Sequence, residues 1–563
     1  MPRMTAPRLI LALCIAAQCA AAVAAETFES LASLVGRDAA LFVELRELDR
    51  HASELADSEL GRRWQASGLA DAFWSAPFDP LQKWQAVEAH VAAVTGAPFS
   101  EQLRALFAES VALALYLPSQ GEPQGVLLAR ATSAESIDRV LSSWEKLELP
   151  LRTERRTAAR GGQYFRRVIG RTGGERSLYF ARHNRLFVLS DHEHLVRDCV
   201  DRVLDRSNAE SLQGTVEYRG IVDRLHSGNW AVAYLNPRQW DAALARDAVK
   251  SPPSQKLLDA WKSFRAIAAG IHTTDGVHAE LLVSLDEGQA GSEWREFAQA
   301  AALPSIVSSA PPRAVAVLGA NVRLPWLVRQ WERLLSTHDR EGLEKGRRVL
   351  RGLLMGRDVL ADVSPHVLGD WGVAIESRAP RDDAGAWWRA WDCTATSFLP
   401  AEMPRELRDG VDNALLFAMN MAAADRNNRE ETAAWHVERT DSSQGSRRVL
   451  VGPDGIEPAF AWLPGRLLLA NHPELLDRPA FADEHSPLAV TAAHRFPDAR
   501  IFAWLNLQQL REAFGNDEVR DPAPPSLAKV LRPLAQLGDQ LFVAASWKES
   551  EVRFRAGMTI EAR

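Results

Sequence analysis

The sequence predicts an α+β protein made of two tandem repeats, each a mostly antiparallel sheet with packed helices. Three observations lead there. A strand-to-helix phrase occurs four times, at Ala40 to Leu55, Trp230 to Leu244, Ala314 to Val328 and Arg500 to Phe514. A longer pattern doubles the whole chain: Leu186 to Leu195 matches Leu467 to Leu475, and the lead-in Ser211-Leu212 matches Ser486 to Leu488. Finally, most apolar runs are joined by short turns, which suits antiparallel pairing because a parallel connection needs a long crossover. Self-similarity in the same order along both halves is the signature of duplication.

Taken in order, the elements of the first half read as follows. Ala40 to Leu55 is a strand feeding a helix, and His51 to Ala108 is mainly helical, broken near Pro77, Pro80 and Pro98. Val111 to Leu117 and Gly125 to Ala131 are apolar runs around a Pro- and Gly-containing turn, the pattern of paired strands. A helix from Ser133 to Leu147 starts with Ser133 as its cap. Strands at Tyr164 to Ile169, Leu178 to Arg182 and Leu186 to Leu189 lead to a helix capped by Asp191. Trp230 to Leu235 is a strand; Asn236 is the cap of the next helix and Pro237 its first residue, where a missing N–H costs nothing. Helices from Pro237 to Arg246 and from Gln255 to Arg265 precede a hairpin from Ile267 to Leu285, turning at Asp275-Gly276. The second half repeats this plan, with Asn471 as the cap matching Asp191, and closes on a hairpin from Leu541 to Ile560 turning at Lys548 to Ser550.

At 563 residues the chain exceeds one ordinary core, since domains hold roughly 100–200 residues. The expected divisions are a signal peptide at residues 1–25, a first repeat at 26–300, a linker rich in Pro and Ser at 301–312, and a second repeat at 313–563. One departure from the doubling stands out. After Trp371 to Ser377 an insertion runs from Arg381 to Arg408 and carries Trp387, Trp388 and Trp391. With the strand-to-helix phrase ending Tyr234-Leu235-Asn236, the strand and cap Leu186 to His192 and the Ser211-Leu212 lead-in, the chain resembles an uncharacterised family of exported bacterial proteins that carries only a domain-of-unknown-function label. That resemblance implies an exported tandem α+β protein; it brings no activity, ligand or catalytic residue.

Arg3 and Arg8 followed by an apolar, alanine-rich run to Ala25 read as a secretory signal, too short and too poor in large apolar residues for a bilayer span. The mature chain is therefore expected to be periplasmic or secreted, without a transmembrane segment. Losing two arginines and no acid takes the formal charge from −7 to −9, and no basic block with interleaved aromatics occurs, so nucleic acid is not an expected partner. Leu13 and Gln18 before Cys14 and Cys19 argue against lipidation; of the cysteines left after export, Cys199 and Cys393, two separate thiols are expected rather than a disulfide.

No motif declares a chemistry. In His192-Glu193-His194, with Asp191 before and Cys199 after, residues two apart on a helix do not share a face, so a helix start is expected rather than a metal site. Ser143 and Lys146 match a Ser-x-x-Lys spacing without its companion motifs, and Asp275-Gly276 lacks the other carboxylates of a calcium loop. No catalytic residue, metal ligand or cofactor is assigned. The expectation is a non-enzymatic binding or scaffold protein of the bacterial envelope, its partner an envelope protein or an apolar ligand, with Trp387, Trp388, Trp391 and Arg389 as contact residues, since Trp and Arg dominate binding hot spots. The alternatives are an envelope hydrolase with a dispersed active site and a carrier of an apolar molecule.

Overall fold

The computed structural model describes residues 30–67, 80–119, 121–147, 152–171, 174–205, 210–248, 252–286, 288, 294, 298, 302–322, 324–335, 337–367, 369–378, 391–400, 403–429, 434–442, 445–453, 457–477, 487–514 and 525–560. The expected signal peptide lies outside these residues, as do Trp387, Trp388 and Arg389. The fold is α+β, and every described strand pairing is antiparallel. The chain divides into two compact units, up to Asp286 and from Glu287 onward.

The first unit contains β1 (Leu41–Arg46), α1 (Leu48–Asp57), α2 (Glu59–Ala66), α3 (Pro80–Thr95), α4 (Phe99–Phe107), β2 (Ser110–Tyr116), β3 (Gln124–Arg130), α5 (Ala134–Leu147), β4 (Arg152–Thr157), β5 (Gln163–Arg171), β6 (Gly174–His183), β7 (Leu186–Ser190), α6 (Glu193–Asp205), α7 (Val216–Val222), β8 (Ala231–Leu235), α8 (Asp241–Ala248), α9 (Pro252–Trp261), β9 (Phe264–His272) and β10 (Gly276–Leu285). Its strands lie in the order β4-β5-β6-β7-β3-β2-β1-β8-β9-β10. The central strands are apolar almost without interruption because both faces are covered. On one face Phe42, Ala112, Ala114, Leu128 and Tyr234 pack on Leu31, Val196, Tyr218 and Ile221. On the other, Leu45, Val111, Ala129 and Phe187 pack on Leu48, Leu106, Ile137 and Val140.

The local chemistry explains where helices begin. Ser133 Oγ accepts the Ser136 N–H at 3.1 Å ahead of α5, and Asn236 Oδ1 accepts the Arg238 N–H at 3.1 Å, with Pro237 opening a 3-10 turn before α8. The expected helix to Arg265 stops at Trp261, because Phe264 to His272 is claimed by pairing with β10. Asp191 is not a cap. The helix begins at Glu193; the Asp191 carboxylate meets His192 Nδ1 at 2.6 Å, and Ser190 Oγ takes the His192 N–H at 3.0 Å.

The second unit contains α10 (Ile306–Ser309), β11 (Ala314–Asn321), α11 (Leu324–Leu334), α12 (Thr337–Leu353), α13 (Ser364–Val367), β12 (Asp370–Ser377), β13 (Trp391–Phe398), α14 (Arg405–Arg429), β14 (His436–Ser442), β15 (Gly445–Val451), β16 (Ala459–Leu463), β17 (Arg466–Ala470), α15 (Pro487–Arg495), β18 (Ile501–Asn506), α16 (Leu507–Phe514), α17 (Pro525–Leu537), β19 (Gln540–Lys548) and β20 (Glu551–Thr559). The strand order is β14-β15-β16-β17-β13-β12-β11-β18-β19-β20, the same sequence of positions as in the first unit.

Two boundary expectations change here. The Pro- and Ser-rich stretch at 301–312 is not a free linker: Ile306 and Val307 are buried in the core with Phe502 and Phe542, and Ser305 donates its backbone N–H to Asp370 Oδ1 at 3.1 Å and its hydroxyl to Oδ2 at 2.5 Å. The segment Arg381 to Arg408 is not one insertion either. Trp391 to Phe398 is β13, paired with β12 as β3 pairs with β2, and Arg405 opens α14, which stands where the shorter α5 stands in the first unit.

Candidate functional site

In the first unit, a pocket of about 350 Å³ opens where the ends of β2 and β3 meet the start of α6. It is lined by Gly36 and Tyr116, by the apolar Leu117, Pro118 and Leu195, and by the polar Asp38, Gln124, His194, Asp198, Arg202 and Gln239. The helix builds one side by periodicity: His194, Asp198 and Arg202 recur every four residues and share a face, while Val196, Cys199 and Val200 point into the core. Tyr116 is held in place by the Gly36 N–H, which donates to its hydroxyl oxygen at 3.0 Å. Burial, first of all, pushes the Tyr116 phenol far above its ordinary value, and the nearby Asp38 carboxylate adds to this while Arg202 opposes it.

Gly36 is the residue that leaves the space open. A Cβ there would lie 2.6 Å from Asp38 Oδ1, 3.3 Å from Arg202 Nη2 and 3.5 Å from Tyr116 Cε1. A carboxylate and a guanidinium therefore flank one glycine without forming an ion pair with each other. Among the described residues, Arg202 makes one hydrogen bond, from Nη1 to the Leu34 carbonyl at 3.4 Å, and Asp38 has no side-chain partner. At the corresponding place in the second unit, after β17, the described residues form only a 3-10 turn, Pro473–Leu476.

A second cluster sits at the end of the β9–β10 hairpin. His226, His272 and His278 stack face to face, with ring centroids 3.9 Å and 4.7 Å apart. Rings stacked in this way spread their nitrogens around the column instead of aiming them at one point, and among the described residues no His, Cys, Asp or Glu group is arranged to hold a metal ion. His226 Nδ1 accepts the Gly228 N–H at 3.1 Å, Asp275 Oδ1 contacts His278 Nε2 at 2.5 Å, and Glu280 takes the Asn229 amide at 3.0 Å. His272 is lowered from 6.5 to about 4, by burial first and then by His226 and His278, with Glu280 and Asp275 opposing. A lowered folded-state value means that the unfolded chain binds the proton more readily, so this residue subtracts stability as pH falls from about 6.5 to about 4. His272→Phe is accordingly expected to flatten the decline in first-unit melting temperature across that window; parallel wild-type and variant curves would contradict the assignment.

The residues singled out in the sequence disperse. Glu193 turns away from its histidine neighbours to accept from Tyr164 at 2.7 Å and Arg156 at 2.6 Å, which, led by the Tyr164 bond, hold its carboxyl below the usual range. The His192 and His194 rings meet only edge-on at 6.1 Å. Cys199 and Cys393 are both free, and full burial pushes the Cys199 thiol up to about 12. Ser143 is buried whereas Lys146 is exposed, so the two do not form a nucleophile and base at one accessible face. Asp275-Gly276 forms the hairpin turn, with Gly276 at φ 144°.

Of the four expected contact residues, Trp391 alone lies among the described residues. It begins β13 and packs beside Val315, Leu507, Leu510 and Phe514; Asn471 clamps its carbonyl with a 2.7 Å hydrogen bond and takes the Cys393 N–H at 2.8 Å. Trp391 is thus partly buried against this cluster, and Asn471 is a strand clamp rather than a helix cap. The pocket carried no sequence motif, because Gly36 and Asp38 belong to no pattern and lie far from Arg202 in the chain. The repeated polar spacing at 194, 198 and 202 was the one available signal.

No known protein family and no curated protein matches this chain. Among solved structures, one described as "Structure of crystal form III of TP0453" is similar over 48% of this chain and 86% of that chain, at 8% identity and a TM-score of 0.22.

Proposed function

We propose that the chain is an exported, non-enzymatic binding protein of the bacterial envelope, built from two copies of one ten-strand plan, whose first unit receives a small polar molecule in the pocket beside α6. The observation that carries this reading is that, among the described residues, Asp38 and Arg202 flank Gly36 without an ion pair between them. Polar groups kept apart at a concave surface suit recognition, because a ligand that satisfies both gains more than water does at either. The same lining favours polar cargo over the apolar cargo considered from the sequence. It holds no serine, threonine or cysteine side chain to serve as a nucleophile, which favours binding over acyl-transfer hydrolysis. The matching strand order of the two units supports duplication, and Arg3, Arg8 and the alanine-rich run support export.

A pooled fraction of polar metabolites should raise the melting temperature of the purified protein, by mass action on the folded state, and should leave Gly36→Val unshifted because the new side chain fills the pocket. The unliganded melting curve of the variant checks that it folds. Equal shifts in both proteins, or no shift in either, would sink the reading. For export, the mature protein from the envelope fraction should begin at Ala25 or Glu26.

A further inference from the structure

We infer that the ligand of this pocket is a free α-amino acid carrying an aliphatic side chain, bound as its zwitterion; this rests on the binding reading above. The carboxylate of Asp38 and the guanidinium of Arg202 both approach the point where a Gly36 side chain would begin, at 2.6 Å and 3.3 Å. A partner for them must therefore present a positive and a negative group close together. An ammonium and a carboxylate on one carbon do so. The ammonium faces Asp38, an acceptor with no side-chain partner of its own among the described residues, and the carboxylate faces Arg202, whose planar donors match a carboxylate's two oxygens.

The rest of the pocket sets what the α-carbon carries. Leu117, Pro118 and Leu195 supply the apolar part of the lining, and a cavity of about 350 Å³ leaves room beside the two charged groups for a branched aliphatic chain. Gln124 and Gln239 contribute amides that donate and accept without adding charge, so the balance across the site is left to the acid and the base. A monovalent ligand would satisfy one of the two charges and desolvate the other without return, which is the physical basis for discrimination against it.

Isothermal titration calorimetry of the full mature chain tests this with L-leucine, D-leucine, 3-methylbutylamine, which lacks the carboxylate, and 4-methylpentanoate, which lacks the ammonium. Leucine in one or both hands should bind, and each single-charge analogue should bind at least tenfold more weakly. Asp38→Asn, a change at an exposed side chain, should weaken leucine at least tenfold while 4-methylpentanoate binds as well as or better than to wild type; Arg202→Gln should weaken leucine while the amine binds as well as or better than to wild type. Analogues that bind as well as leucine, or leucine binding indifferent to Asp38→Asn, overturn the inference. If no leucine binds while pooled metabolites still stabilise the wild type and not Gly36→Val, the amino-acid assignment fails and the pocket stands; if neither binds, both fall.

Discussion

Glu44→Ala is expected to cost the first unit about 3 kcal/mol, read as the change in its urea unfolding transition. Glu44 is fully buried on β1, where its Oε1 accepts the Leu31 N–H at 2.7 Å and its Oε2 accepts the Ser30 hydroxyl at 2.7 Å and Arg46 through Nη2 at 2.7 Å and Nε at 2.9 Å. The carboxylate ties the 3-10 turn Leu31–Ser33 to the sheet, and that turn buries Leu31 and Ala32 in the core. Removing it leaves a buried N–H unmatched and loosens the turn; Arg46, which is partly exposed, recovers hydration and limits the loss. Glu44→Gln keeps an acceptor for Leu31 and should cost roughly half as much. Two variants within about 0.5 kcal/mol of wild type would show that the turn is held by apolar packing alone.

Asp358→Ala is expected to cost the second unit about 2–4 kcal/mol, through the loss of a cap and of two ion pairs together. Asp358 Oδ1 accepts the Leu360 and Ala361 N–H groups at 2.9 Å and 3.1 Å, while Oδ2 takes Arg351 at 2.6 Å and Arg347 at 3.0 Å, fastening α12 to the turn Val359–Val363. Burial by itself would raise this carboxyl. The bonds from Ala361, Arg351, Leu360 and Arg347 outweigh it and hold the group well below the usual carboxylate range. Because the folded value is depressed, the contribution is complete above the unfolded value near 3.9 and drains away as pH falls through the folded one. Wild-type second unit should therefore lose stability steeply below about pH 4, whereas Asp358→Ala starts lower and declines less. Acid limbs of equal slope in thermal melts would remove Asp358 from the account.

What the sequence determined by itself is the set of elements whose chemistry is local. Strands buried on both faces, such as Val111 to Tyr116 and Ala231 to Leu235, announce themselves by unbroken apolar runs, and Ser133, Asn236 and Asp275-Gly276 mark starts and turns through hydrogen bonds within a few residues. Tertiary structure alone decided the rest. β4, Arg-Thr-Glu-Arg-Arg-Thr, and β14, which begins His-Val-Glu-Arg, lie at the ends of the strand order within their units and carry little apolar signal; backbone pairing with β5 and β15 makes them strands, and backbone pairing leaves no trace in side-chain pattern. For Trp391 nothing local tells that it opens a strand and packs beside Leu507 and Phe514, because those neighbours are more than a hundred residues away. The pocket has the same origin. Gly36 and Asp38 meet Arg202 only because β1, β2 and β3 bring the start of the chain against α6, so opposed charges that no spacing could reveal come to share one cavity.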